Sequence, residues 1–238
     1  MSHSASLFVL IGLFAAIGGG GCCTIRDHTS SPTTGSAPAT REDNAVHKPF
    51  MIHEAALPER FPAPGPVGEV IVKRYPACRE AVVESAAVAN SGSDSMFYAL
   101  FRHIKKNDIA MTAPVEMQYK DLSANSAATR PVAMAFLYRH PEWGHVGTDG
   151  TVRVVDAPPV TVISIGIRGT DSDAHLKEGM ARLNAWLAEN PGRYAVIGPP
   201  RLLGYNSPFV PWFLRFGELQ LPVKPISEVT EREPMRQN

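Results

Sequence analysis

The order in which extended and helical segments follow one another between Gly68 and Val223 constrains the fold more than any single motif. GEVIVKRYPACREAVVESAAV, from Gly68 to Val88, predicts two strands broken at Pro76, with β-branched side chains at Val70, Ile71, Val72, Val82 and Val83. A Ser-Gly-Ser-Asp run then offers helix caps. Met96, Phe97, Leu100, Phe101 and Ile104 recur on one helical stripe, which ends near Lys106-Asn107. Two more extended segments follow, residues 109–119 and Val132 to Tyr138. After the loop HPEWGHVGTDG the same order returns. TVRVVD and VTVISIGIR flank Ala157-Pro158-Pro159, and Thr170 to Asp173 supply caps. Leu176, Met180, Leu183, Trp186 and Leu187 mark a longer helix that stops at Asn190-Pro191-Gly192. RYAVIGPPRLL and WFLRFGELQLPV close the second half.

Each half thus reads strand, strand, helix, strand, strand, although the residues of the halves do not match, so the repeat is one of architecture. Strands joined by short turns pair as antiparallel neighbours with helices to one side, which places the chain in the α+β class. Twenty-one prolines and nineteen glycines agree with short strands and many turns. The expectation is an antiparallel sheet of eight strands, curled into a distorted barrel and flanked by two helices. Such curling creates a concavity.

Within that plan IAMTAPVEMQY, residues 109 to 119, is the segment that invites a guest. Ile109, Met111, Ala113, Val115, Met117 and Tyr119 alternate with Ala110, Thr112, Pro114, Glu116 and Gln118, so one face is apolar and the other small or polar. Two soft methionines sit on the apolar face, and Pro114 belongs at an edge or bulge, since it cannot donate to a ladder.

The first residues differ in kind. Leu7 to Ile17 is an apolar run of eleven residues, followed by Gly18 to Gly21 and Cys22-Cys23. That length is short for a membrane span and suits an export signal over residues 1–23. Cys22 or Cys23 is then a site for lipid attachment; a run left in place as an anchor has the same consequence. Residues 24–49, rich in Ser, Thr and Pro, read as a tether, 50–225 as the domain and 226–238 as a tail. The expected location is the bacterial cell envelope or periplasm, with membrane contact only through the signal or lipid. A formal net charge of zero, without a basic stripe, gives no reason to expect nucleic acid. Beyond Cys23 the sole cysteine is Cys78, so the domain has no internal disulfide.

VGEVIVKRYPACREAVV, MFYALFRHI, DIAMTAPVEM and RLLGYNSPFVPWFLRFGELQLPV together resemble the SOUL haem-binding family over roughly residues 66 to 224. The resemblance implies a distorted barrel with two helices and a shared plan in its halves, related in fold to bacterial drug-sensing ligand domains. It also implies binding of haem or another tetrapyrrole in a surface hydrophobic groove. Such a site needs an apolar slot, cations for the propionates and, where binding is tight, an axial ligand. His3 lies in the signal, His28 and His47 in the tether, His53 just before the domain, and His140 and His145 in the loop between halves. His103 and His175 remain, each on the flank of a helical stripe, neither buried nor fully outside; His103 is the candidate axial ligand. Met111, Met117 and Phe97 are candidate walls. Arg74, Arg102, Arg168 and Arg215 are candidate partners of the propionates. No axial residue is obligatory, so apolar contact with peripheral charge pairing is the simpler site.

HExxH, CxxC, GxSxG, a phosphate loop and an EF-hand loop are all missing from the sequence. A non-enzymatic binder of haem, acting as carrier, buffer or sensor, is the expected function. A module for other amphipathic molecules is the alternative. An enzyme acting on a tetrapyrrole or ester would have Cys78 as its strongest nucleophile, without a recognisable base. GYNSPFVPWF fits either a ligand lid or a turn packed on the barrel end.

Overall fold

The structure, a computed structural model, describes residues 49–88, 92–126, 129–169 and 171–226. The expected signal with Cys22 and Cys23, all but the end of the tether, Thr170 and nearly all of the tail lie outside the described residues.

Among the described residues ten strands form one sheet: β1 Val70–Tyr75, β2 Cys78–Glu84, β3 Val115–Tyr119, β4 Pro131–Leu137, β5 Gly147–Asp149, β6 Val152–Ala157, β7 Val160–Arg168, β8 Tyr194–Val196, β9 Arg201–Gly204 and β10 Phe216–Pro225. The spatial order is β1-β7-β10-β9-β3-β4-β2-β6-β5, with β8 on β10, and every strand pair is antiparallel. The expected count of eight is therefore corrected to ten. A short hairpin strand, β5, forms inside the loop between halves, and Gly198-Pro199-Pro200 splits one expected strand into β8 and β9. Pairing also leaves β1 and β5 as ends, so hydrogen bonds do not close the sheet into a barrel.

The two halves appear in the order of pairing. β3-β4-β2 mirrors β9-β10-β7 across the β3/β9 seam, and the first strand of each half crosses to the other, β1 onto β7 and β6 onto β2. Helix α1, Ser93–Lys106, lies on β4, β2 and β6, while α2, Asp173–Glu189, lies on β7, β10 and β1. Ser172 caps α2 through its side chain, as its position before the stripe suggests. Gly92 caps α1 without a side-chain bond, so there the expected cap does not form.

Strand parity divides the core. Ala81, Val83, Met134, Phe136 and Val154 meet Met96, Leu100 and Ile104 of α1. Ile163, Ile165, Leu219 and Leu221 meet Leu176 and Leu183 of α2. The alternate residues of the same strands face the inner side of the curled sheet. There the segment before β1 crosses the mouth, with Met51, Leu57 and Phe61 packed on Tyr75, Val162, Leu203, Tyr205 and Phe216. The strand expected from 109 to 119 is shorter: Pro114, after a cis peptide, precedes β3, and Thr112 donates to the carbonyl of Leu137 instead of joining a ladder.

Candidate functional site

The inner face is filled. Lys73 donates to both Glu218 oxygens at 2.8 Å, and the hydroxyls of Tyr205 and Tyr75 donate to the same carboxylate at 3.0 and 3.3 Å. Gln220 donates to Tyr75 Oη at 2.8 Å. Arg201 bridges Gln220 at 3.0 Å and Glu116 at 2.8 Å, and Gln118 adds a bond to Glu116 at 2.9 Å. Lys73, Glu116, Glu218 and Gln220 are all buried, which is tolerable only because each is paired. Burial, reinforced by Glu218, raises the hydroxyls of Tyr75 and Tyr205 far above the ordinary tyrosine range. Burial also lowers the Lys73 ammonium, against the pull of Glu218. The space left beside Cys78, Glu80, Glu116 and Arg201 is about 30 Å³, room for a water or two.

Cys78 borders this remnant. Burial, with Glu80 and Glu116 adding negative charge nearby, pushes its thiol up to about 12, so at neutral pH it is a thiol and no nucleophile. Burial and the neighbouring Glu116 raise the Glu80 carboxyl to about 7.

The opposite face is open at its centre, where the helices part over the β3/β9 seam. A groove of about 180 Å³ runs there over Met117, Leu202, Gly204 and Gly217, with Ile167 and Leu176 on the α2 side and Phe216, Pro208 and Arg215 at one end. Gly204 keeps the floor low, since a Cβ there would lie 3.4 Å from Met117 Cε. The Arg215 guanidinium donates to the carbonyls of Val210 at 2.9 Å and Pro208 at 2.6 Å, which fixes a positive charge at the rim. Asp171 supplies the carboxylate of the lining.

A third hollow, of about 470 Å³, lies beside the 144–149 loop. His103, which the sequence places on a flank, is buried at 7% exposure, because α1 turns that side toward the end of β4 and toward Asp149 of β5. Its Nδ1 lies 2.9 Å from Asp149 and its Nε2 2.9 Å from Tyr138 Oη. Both ring nitrogens are engaged, which leaves none for iron. Asp149 also accepts from Lys106 at 2.8 Å, and these two partners hold its carboxyl below the usual range.

The six residues expected to share a site are dispersed. Met117 lines the groove over the seam, and His103 lines the hollow beside the 144–149 loop. Phe97 and Met111 pack on the α1 core, where Phe97 meets Phe136 edge-on at 5.1 Å. Arg102 is exposed over the Tyr98 ring at 5.7 Å, and Arg74 is exposed on the edge strand β1. Of the other arginines, Arg215 reaches the groove, whereas Arg168 holds the carbonyls of Leu214 and Phe50. Among the described residues no three metal-ligating side chains cluster. The buried network went unread, because polar residues alternating with apolar ones, as in GELQLPV, look like a solvent face. The signal was the abundance of strands with a second face to fill.

Residues 67–222 match the family model described as SOUL heme-binding protein. The chain belongs to the SOUL family. No curated protein matches the SOUL chain. Among solved structures, it is similar to EcmrR in a DNA-bound transcription complex, with 14% identity and a TM-score of 0.49 over 66% of this chain. That match spans 57% of the EcmrR chain, a little over half its length. An uncharacterized conserved protein from Listeria innocua aligns with 13% identity and a TM-score of 0.48 over 67% of this chain and 94% of its own. A hydrolase from the same organism aligns with 14% identity and a TM-score of 0.45 over the same shares. At this distance no ligand, nucleic acid or reaction transfers to the SOUL chain.

Proposed function

We propose that this chain binds haem or a related tetrapyrrole in the groove over the β3/β9 seam and catalyses no reaction on it. The observation that carries the proposal is the uncovered apolar floor between the helices, formed by Met117, Leu202, Gly204 and Gly217. A flat macrocycle gains apolar contact there, and Arg215 stands where a propionate would emerge. The groove is shallow and open, so it grips part of one face of such a ligand. Among the described residues that line it there is neither His nor Cys, and Met117 is the one soft donor. Apolar contact with peripheral charge pairing therefore supplies the affinity, which is modest. The hollow beside His103 is roomier, but its base is the Asp149–His103–Tyr138 hydrogen-bond chain, a polar surface in place of an apolar floor.

Titration with hemin, followed at the Soret band, tests this reading. Gly204→Leu, which builds into the floor, weakens binding about tenfold or more, equivalent to about 1.4 kcal/mol. His103→Ala leaves it unchanged. Binding unaffected by Gly204→Leu and abolished by His103→Ala would move the site to the other hollow. Binding of unrelated hydrophobic dyes without a Soret change would favour the broader class of amphipathic ligands.

A further inference from the structure

Between β9 and β10 the chain makes a turn, Asn206 to Leu214, whose sequence NSPFVPWFL contains no charged residue. Its polar atoms are tied inward. Asn206 donates to the carbonyl of Ile52 at 2.8 Å and accepts from the Phe216 amide at 2.9 Å. The amide and hydroxyl of Ser207 both donate to Glu54, at 2.7 and 2.6 Å. Arg215 holds the carbonyls of Pro208 and Val210, and Leu214 N donates to the carbonyl of Pro211 at 2.9 Å. Val210 is buried beneath the turn.

The aromatic side chains point the other way. Phe209 is 94% exposed, Trp212 61% and Phe213 54%, with the Trp212 and Phe213 rings edge-on at 5.7 Å. An expectation that this run packs against the sheet end thus holds for Val210 and fails for all three rings. Phe50, 70% exposed, is fixed to the same end, because Arg168 donates at once to its carbonyl, at 2.6 Å, and to that of Leu214, at 3.0 Å. Phe50 is also where the domain joins the preceding part of the sequence, which carries the apolar run Leu7 to Ile17.

We propose that the Phe209–Trp212–Phe213 turn, with Phe50 beside it, inserts into the interfacial region of a lipid bilayer. Aromatic rings favour that region, and several backbone groups around them are already hydrogen-bonded within the protein, which lowers the cost of leaving water. The turn itself carries no charged residue, and Arg168 and Arg215 are anchored on backbone carbonyls at its base, so insertion needs no anionic lipid and a zwitterionic phosphatidylcholine surface suffices. A bilayer is favoured over a protein partner because the sequence before Phe50 carries the apolar run Leu7 to Ile17, expected to be an export signal or anchor, either of which takes the chain to a membrane. Pro208 is shared between the turn and the end of the groove, so an inserted turn brings the groove mouth to the membrane surface.

The test uses the full chain carrying Trp143→Phe and Trp186→Phe, which leaves Trp212 as the sole tryptophan, excited selectively at 295 nm or above. Vesicles of phosphatidylcholine shift its emission to the blue, and brominated acyl chains quench it. The further change Phe209→Ser with Phe213→Ser weakens this quenching at least fivefold while circular dichroism is unchanged. Because the reporter lies in the turn, attachment through the N-terminal run alone gives neither shift nor quenching, and that result would overturn the proposal. So would a blue shift that grows with protein concentration in the absence of lipid, which would assign the surface to a second copy of the chain.

Discussion

The two faces of the sheet reach opposite solutions to the same problem. Curvature makes the inner face concave, and the expectation of a guest there is natural. Yet Lys73, Glu218, Gln220, Arg201 and Glu116 occupy it, and residues 51–65 stop its mouth. The outer face is convex, and its helices are too few to cover it, so the seam between them stays bare. Room for a ligand therefore arises where covering elements part, and the hollow made by bending goes to internal polar pairing.

The strongest way to break this contrast is at Lys73. Replacing it by Met leaves Glu218 buried without its cation, and unfolding in urea should show a loss of about 3–5 kcal/mol. A small loss would mean that water reaches Glu218 and that the inner face is more open than its packing implies. Gly204→Leu on the outer face should cost about 1 kcal/mol or less, because the added side chain meets the flexible end of Met117. A large loss there would make the groove floor a packed surface after all.

His103→Ala sharpens the same comparison from the side of α1. It removes the partner of the buried Tyr138 hydroxyl, and a loss of about 2 kcal/mol is expected from denaturant unfolding. Glu80 gives a smaller, pH-dependent effect. Its carboxyl titrates near 7 in the folded chain, above its unfolded value, so the folded state is penalised increasingly as pH rises from about 4.5 and fully above about 7. Glu80→Gln should therefore raise the melting temperature at pH 8, by about 1 kcal/mol in stability after allowance for partial exposure, and change nothing below about pH 4.5. Least affected should be the reaction of Cys78 with a thiol reagent at pH 7.5, slower than that of a free thiol by at least tenfold, since its pKa near 12 leaves little thiolate.

The doubled element order, both helices and most strand positions were legible, because amphipathic stripes and β-branched runs record which side of each element is covered. β5 escaped because three residues of a Gly-rich loop carry no alternation to detect. His103 was misplaced for a related reason. Its angle on the α1 stripe is marginal, and what buries it lies outside the helix, Tyr138 after β4 and Asp149, forty-six residues later, at the end of β5. Of the groove lining, Met117 was visible from the alternation of residues 109–119, and Arg215 only as one of four candidate arginines. Gly204 and Gly217 were silent, since a groove floor made of missing side chains leaves no apolar signal. The Lys73–Glu218 pair was silent too, as its partners lie 145 residues apart and each sits in an ordinary alternating strand.

The exchange of first strands between the halves has a consequence for how the chain is made. β1 has no partner until β7 is present, and β10, near the C-terminal end of the described chain, is the strand that lies between β7 and β9. Neither half can be excised as a working unit, and synthesis must be almost finished before the fabric can be stitched shut. Such long-distance pairing slows assembly and exposes greasy intermediates to whatever escorts them.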